Sequence, residues 1–254
     1  MSVLQSTDGT LDTIVNSDDA TRMTYPGGKG QLFRRLINLI PEHDTYIEAY
    51  LGMGAVLRNK RPARMSIGIE SDPEVLNKWR GDEVPNLHLV QGDALEFLTT
   101  YPFKGTEFIY LDPPYLPTTR RCSVIYRHEC TWSDHEDLLG VLLNLPCRAM
   151  ISGYGSDLYT ERLHGWHELT FRTGSHGCAR VESVWLNYAP PTIPADLQWV
   201  GESYRDRQRI RRKQERLRAK IAGLPDVERA LLFDWMRDAF ADQMYAHVEL
   251  NQTS

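Results

Sequence analysis

The sequence predicts an α/β fold with a mostly parallel sheet at its centre. Short β-branched or aromatic runs alternate with helical patterns along most of the chain, and the residues directly after these runs are rich in Gly, Pro and acidic side chains. Size agrees with this: 254 residues suffice for one sizeable core with an extension, rather than two full domains.

In order, an amphipathic run at 32–40 precedes the first strand pattern, at 45–50. Strand patterns follow at 65–70, 87–90 and 107–112, and the intervening segments 54–60, 73–80 and 94–101 are long enough to be crossover helices. Runs at 147–152, 166–173 and 181–189 bring the strands to seven. Pro190, Pro191 and Pro194 then mark a linker. Beyond it, 202–220 reads as a helix with nine basic residues against three acids, a local charge of +6 that leaves −11 for the rest of the chain. A second helix, at about 226–245, spaces Val227, Leu231, Trp235 and Phe240 so as to lay an apolar stripe against the body. The expected organisation is a disordered tail at 1–20, a core domain at 21–190, and a linker with C-terminal helices at 191–254.

Composition excludes several classes. With 41% apolar and 25% charged residues and a mean hydropathy of −0.44, the chain is an ordinary globular one, neither disordered nor fibrous. No apolar run reaches the roughly 18–20 residues that span a bilayer, and 1–20 lacks the basic start and apolar stretch of a secretion signal. A cytoplasmic location without a membrane partner is expected. The cysteines at 122, 130, 147 and 178 form no Cys-x-x-Cys pair. A metal site on Cys122, His128, Cys130 and His135 is weaker than reduced thiols and ordinary imidazoles, so no metal is predicted.

The strongest motif is Asp112-Pro113-Pro114-Tyr115, directly after the apolar run Phe108-Ile109-Tyr110-Leu111. Open α/β sheets bind ligands at the carboxyl ends of their strands, and two prolines stiffen the loop there while leaving carbonyl oxygens unpaired. The fit is to a flat base bearing an amino group: Asp112 and the Pro113 carbonyl accept its two hydrogens, and Tyr115 stacks on its face, helped by aromatics such as Tyr126 or Trp132. Upstream, Glu48-Ala49-Tyr50-Leu51-Gly52-Met53-Gly54 follows a strand, and its glycines let the backbone approach a ligand. A dinucleotide fingerprint would need a third glycine at position 57, which is Leu, so a pyrophosphate ligand is disfavoured. Glu70 ends the next strand, where an acid can bridge the two hydroxyls of a ribose. Asp93 either meets an adenine amino group or caps the helix that follows it. Tyr25-Pro26-Gly27-Gly28-Lys29-Gly30 lacks the spacing of a phosphate loop, and Lys29 can pair with the carboxylate of an amino-acid-like cofactor.

In this order, the motifs from Tyr25 to Gly30, from Glu48 to Gly54, at Glu70, at Asp93 and from Asp112 to Tyr115 resemble the Dam-like, alpha-group adenine DNA methyltransferases, over roughly 22–190. The resemblance implies a Rossmann-like, seven-stranded methyltransferase sheet, S-adenosylmethionine as cofactor, and methyl transfer to the N6 amino group of adenine. It places Tyr25, Lys29, Glu70 and Asp112 on cofactor-contacting positions and Asp112 to Tyr115 on the catalytic loop. Tyr25 stands where the family usually has Trp or another bulky residue, and Glu70 where it has Asp. Only 18 residues separate Asp93 from Asp112, where many relatives carry a target-recognition domain.

Double-stranded DNA is therefore the expected partner, with a restriction endonuclease as a further candidate. Base reading falls to 116–146 and 174–180, through Arg120, Arg121, Tyr126 and Arg127, and phosphate contact to the basic helix through Arg211 and Arg212. The same core acting on cytosine amino groups or RNA is the alternative enzyme, and a catalytically silent nucleic-acid-binding protein the alternative of another class.

Overall fold

The computed structural model describes residues 29–30, 32–81, 84–116, 130–173 and 180–242. Tyr25, Arg120, Arg121, Tyr126 and Arg127 lie outside these residues, as do the 1–20 tail, most of the 174–180 loop and everything past 242.

Seven strands form one sheet: β1 (Thr45–Ala49), β2 (Met65–Glu70), β3 (Leu87–Gln91), β4 (Glu107–Leu111), β5 (Arg148–Gly153), β6 (His167–Thr173) and β7 (Arg180–Leu186). Their order is β3-β2-β1-β4-β5-β7-β6. Pairing is parallel from β3 through to β5, while β7 runs antiparallel to both β5 and β6. β1 and β4 are buried along their whole length, as central strands covered on both faces should be, although each carries a buried acid, Glu48 and Glu107.

Strand alternation sorts the core into two layers. Ile47, Ala49, Ile67, Ile109, Leu111 and Ile151 face α3 (Ala94–Thr100), α4 (Trp132–Leu142) and α5 (Asp157–Arg162). Tyr46, Phe108, Tyr110, Met150, Val184 and Leu186 face the other way, onto α1 (Phe33–Ile37) and Trp79, which follows α2 (Pro73–Asn77). Short polar residues start the helices: Asp72 and Asp93 cap α2 and α3 through the backbone N–H groups of Glu74 and Glu96, and Thr131 with Asp134 forms a capping box on α4.

Two expectations are corrected. Segment 54–60 is a series of turns rather than a crossover helix; Gly54 enters it at φ +59°, a left-handed conformation that no regular helix continues from, although Arg58 N–H still reaches the Gly54 carbonyl at 2.9 Å. The C-terminal helices are α6 (Tyr204–Ala222) and α7 (Asp226–Ala239), and neither buries a residue. The apolar stripe of α7 does not lie against the body: Val227, Leu231 and Trp235 are 73%, 65% and 57% exposed, and Trp235 meets Phe240 edge to face within its own segment. Among the described residues no helix is long and apolar enough to cross a membrane.

Candidate active site

The sheet switches direction of growth between β1 and β4, and the crevice outside their carboxyl ends is where open α/β sheets bind ligands. On one side lies the loop after β1. Tyr50, Gly52 and Gly54 all have positive φ there, 60°, 50° and 59°, so three left-handed residues in five coil the backbone tightly. A Cβ on Gly54 would meet the Trp79 ring at 2.4 Å, and the Trp79 indole N–H donates to the Gly52 carbonyl at 2.9 Å. The glycines thus serve close packing of this loop on Trp79 as well as access to a ligand.

Glu48 and Glu70 hold the same loop from two sides. Glu70 Oε2 accepts the Gly52 N–H at 2.9 Å and Oε1 the Asp72 N–H at 3.0 Å, while the side chain stays partly open. Each oxygen keeps a lone pair for a further donor. Glu48 is buried, and its Oε2 accepts both the Tyr46 hydroxyl at 2.8 Å and the Leu57 N–H at 2.9 Å. Burial pushes its pKa up to about 8, against which those two bonds act. Glu48 braces the loop from beneath. Asp93 caps α3 and is exposed, so of its two readings the structure displays the cap.

On the other side is the segment Asp112 to Tyr115, directly after β4. Asp112 Oδ1 lies 2.7 Å from Lys29 Nζ and accepts the Ser152 hydroxyl at 3.1 Å; among the described residues both contacts fall on this one oxygen. Lys29 also binds Glu182, donates to the Tyr115 hydroxyl at 2.5 Å, and lies 5.0 Å from the centre of the Tyr115 ring. Tyr115 in turn donates to Glu182 at 2.9 Å and packs on Tyr154 with ring centroids 4.4 Å apart. Lys29, expected at a cofactor carboxylate, is here engaged by two carboxylates of its own chain.

Electrostatics follow from that cluster. Burial works against the Lys29 charge, but Asp112 and Glu182 outweigh it and hold the pKa above the ordinary lysine value. Burial raises the Asp112 pKa and Glu182 adds to the rise, while Lys29 and the hydrogen bonds pull it back. One ammonium between two carboxylates leaves a net charge near −1 when all three are ionised. Tyr115 is driven well above the ordinary tyrosine range, chiefly by burial, and remains a neutral hydroxyl.

Pro114 is held by His135 on α4. Its Nε2 is 3.1 Å from the Pro114 carbonyl and its Nδ1 2.8 Å from the Tyr159 hydroxyl, so the buried imidazole bridges the motif to α5. Trp132, expected near the base, is the first residue of α4 and is exposed.

Glu182, Ser152, Tyr154 and the bracing role of His135 escaped the sequence reading. A signal for Glu182 existed: it shares strand phase with the buried Val184 and Leu186, which marks it as an acid pointing into the core. What brings it to Asp112 is the reversed direction of β7, whose first residues lie beside the end of β5, with Ser183 opposite Gly153.

The strand order, with a reversed seventh strand between the fifth and sixth, is that of the Rossmann-like methyltransferase sheet, and α6 and α7 form a C-terminal helical extension. No protein-family model matches the chain, and no curated protein matches it. Solved structures with similar folds include a precorrin 8W decarboxylase, the MT0146 product of Methanobacterium thermoautotrophicum (16% identity, 65% of this chain and 94% of that one, TM-score 0.44). An rRNA methylase from Streptococcus thermophilus matches at 14% identity over 63% of this chain and 96% of that one (TM-score 0.43). TrmK of M. capricolum, solved with S-adenosylhomocysteine, matches at 8% identity over 86% of this chain and 96% of that one (TM-score 0.41).

Proposed function

We propose that this protein is an adenine-specific DNA methyltransferase that uses S-adenosylmethionine. The observation that carries the reading is the Asp112 carboxylate: Lys29 and Ser152 tie down Oδ1, which leaves Oδ2 to accept an amino hydrogen from a base. The left-handed loop at Gly52 and Gly54, with Glu70 bonded to it, fits the nucleoside end of the cofactor, the spare lone pairs of Glu70 suiting two ribose hydroxyls. When bound, the cofactor supplies an electrophilic methyl group on a sulfonium.

The chain's own residues then orient the attacking nitrogen and stabilise the charge it acquires. Asp112 and the Pro113 carbonyl accept the two amino hydrogens and aim the nitrogen lone pair. Positive charge grows on that nitrogen as the new bond forms, so a site carrying net negative charge beside it stabilises the transition state more than the ground state. Here Glu182 matters, because Lys29 alone would cancel Asp112. No strong base is needed, since the nitrogen becomes acidic once methylated. An adenine taken from a duplex loses its stacking, at a cost of a few kcal/mol, and contact with Tyr115 offsets part of it.

Incubating the chain with labelled cofactor and, in parallel, duplex DNA or RNA, then digesting to nucleosides, tests this. N6-methyladenine is the expected product. N4-methylcytosine, or label found only in RNA, would transfer the reading to the same core acting on another base or polymer. No label in any nucleic acid despite cofactor binding would overturn it.

A further inference from the structure

We infer that α6 is a phosphate-binding arm for duplex DNA, and that one face of it does the binding; this rests on the nucleic-acid reading of the active site. At 100° per residue, the nine basic side chains of α6 divide into two groups. Arg205, Arg209, Arg212, Lys213, Arg216 and Lys220 fall within an arc of about 100°. Arg207, Arg211 and Arg218 fall on another face, within about 40° of one another. The apolar Ile210, Leu217 and Ile221 lie between the two groups. Arg211 and Arg212, adjacent in sequence, therefore point in different directions.

The six-residue strip is exposed along its whole length. Its acidic company is thin, because Asp206 and Glu215 are the only acids of α6. Asp206 engages Arg209 at 3.4 Å in an exposed pair of the weak surface kind. From Arg205 to Lys220 the helix rises about 22 Å, which covers about two-thirds of a turn along a duplex axis. The rest of the chain is acidic overall, so this strip is a concentrated positive feature that draws a polyanion.

The arm is fixed to the catalytic centre through α1. Asn38 donates to the Trp199 carbonyl at 3.0 Å, Phe33 meets the Trp199 ring edge to face at 5.3 Å, and Arg35 reaches the Glu202 carbonyl at 3.4 Å. Arg207, from the smaller basic group, bonds the Gly201 carbonyl at 3.2 Å and so belongs to the anchor. At most about 20 Å of chain separate Lys29 from Arg35. Those contacts tie the start of α6 to the same short stretch of chain that carries Lys29.

The test compares two charge-matched variants of the full chain. Anisotropy of an end-labelled duplex, measured without cofactor over a range of salt, reads the phosphates neutralised, at about 0.9 in slope for each. Arg212→Gln with Arg216→Gln should flatten the slope by about 1.8, and Arg211→Gln with Arg218→Gln by less than about 0.5. Glutamine keeps helix propensity near that of arginine, and circular dichroism checks the fold. Equal flattening by both pairs, or none by either, overturns the arm. A wild-type slope that is steep on single-stranded RNA and flat on the duplex overturns the choice of polymer. The two proposals fail separately: a face-dependent slope in a chain that methylates no adenine leaves the arm standing, and adenine methylation without face dependence removes only the arm.

Discussion

Lys29 Nζ lies 2.7 Å from Asp112 Oδ1 and binds Glu182 at the same time, so one ammonium bridges two carboxylates at the carboxyl end of β4. Removing it leaves two acids side by side. Asp112, already raised by burial and by Glu182, loses the interaction that pulls it down.

Lys29→Ala should therefore move the acid limb of the kcat profile to higher pH, since a carboxylate with a raised pKa stays protonated, and inactive as an acceptor, further up the scale. At neutral pH we expect a loss of at least about tenfold in kcat. Asp112→Asn should remove the acid limb altogether, with a loss of about a hundredfold or more and a much smaller change in cofactor affinity. Rate profiles and cofactor calorimetry on both variants check this. A Lys29 variant that lost cofactor binding while keeping its acid limb would return that side chain to the cofactor carboxylate.

The buried imidazole of His135 joins the Pro114 carbonyl to the Tyr159 hydroxyl, and His135→Phe keeps the ring while removing both bonds. Each group left without its partner costs about 1–3 kcal/mol. The loop from Asp112 to Tyr115 loses its brace on the α4 side. We expect a lower Tm and a kcat reduced about tenfold, with cofactor affinity within about twofold of wild type because the loop after β1 is untouched. A stability loss with unchanged kcat would reduce His135 to packing.

Much of this was legible in the chain. All seven strand patterns are strands: the central ones read as apolar runs because both faces are covered, and the edge strands β3 and β6 still show alternating or β-branched residues although they are largely exposed. Asp112, Glu48, Glu70 and both glycines gather at the carboxyl ends of the central strands, as strand-end positions imply, and Lys29 joins them from the segment before α1. Sequence could not supply strand direction: Glu182 reaches Asp112 only because β7 is reversed. It also could not decide what an exposed helix packs on, and the periodicity of α7 reads alike for a docked and an undocked helix.

Glu48 supplies the last prediction, because burial makes its carboxyl differ clearly between folded and unfolded chains. Folded, its pKa is about 8 against an ordinary 4.5. The folded state thus keeps a proton that the unfolded chain releases between these values. Stability from this group is fully present below pH 4.5, declines as pH rises, and is lost above 8. Lys60, lowered to about 8 by burial, stays charged in both states through most of that window and adds little slope. Glu48→Gln keeps an acceptor for Tyr46 and Leu57 and cannot ionise, so it should match wild type near pH 4.5 and exceed it by pH 8. The gap should be on the order of 2–4 kcal/mol, since a tenfold change in proton affinity corresponds to about 1.4 kcal/mol and the protein relaxes around an ionised group. Urea unfolding of both chains across this range reads the difference directly. If it does not vary with pH, Glu48 is ionised in the folded chain, paired with Lys60 rather than neutral beneath the loop.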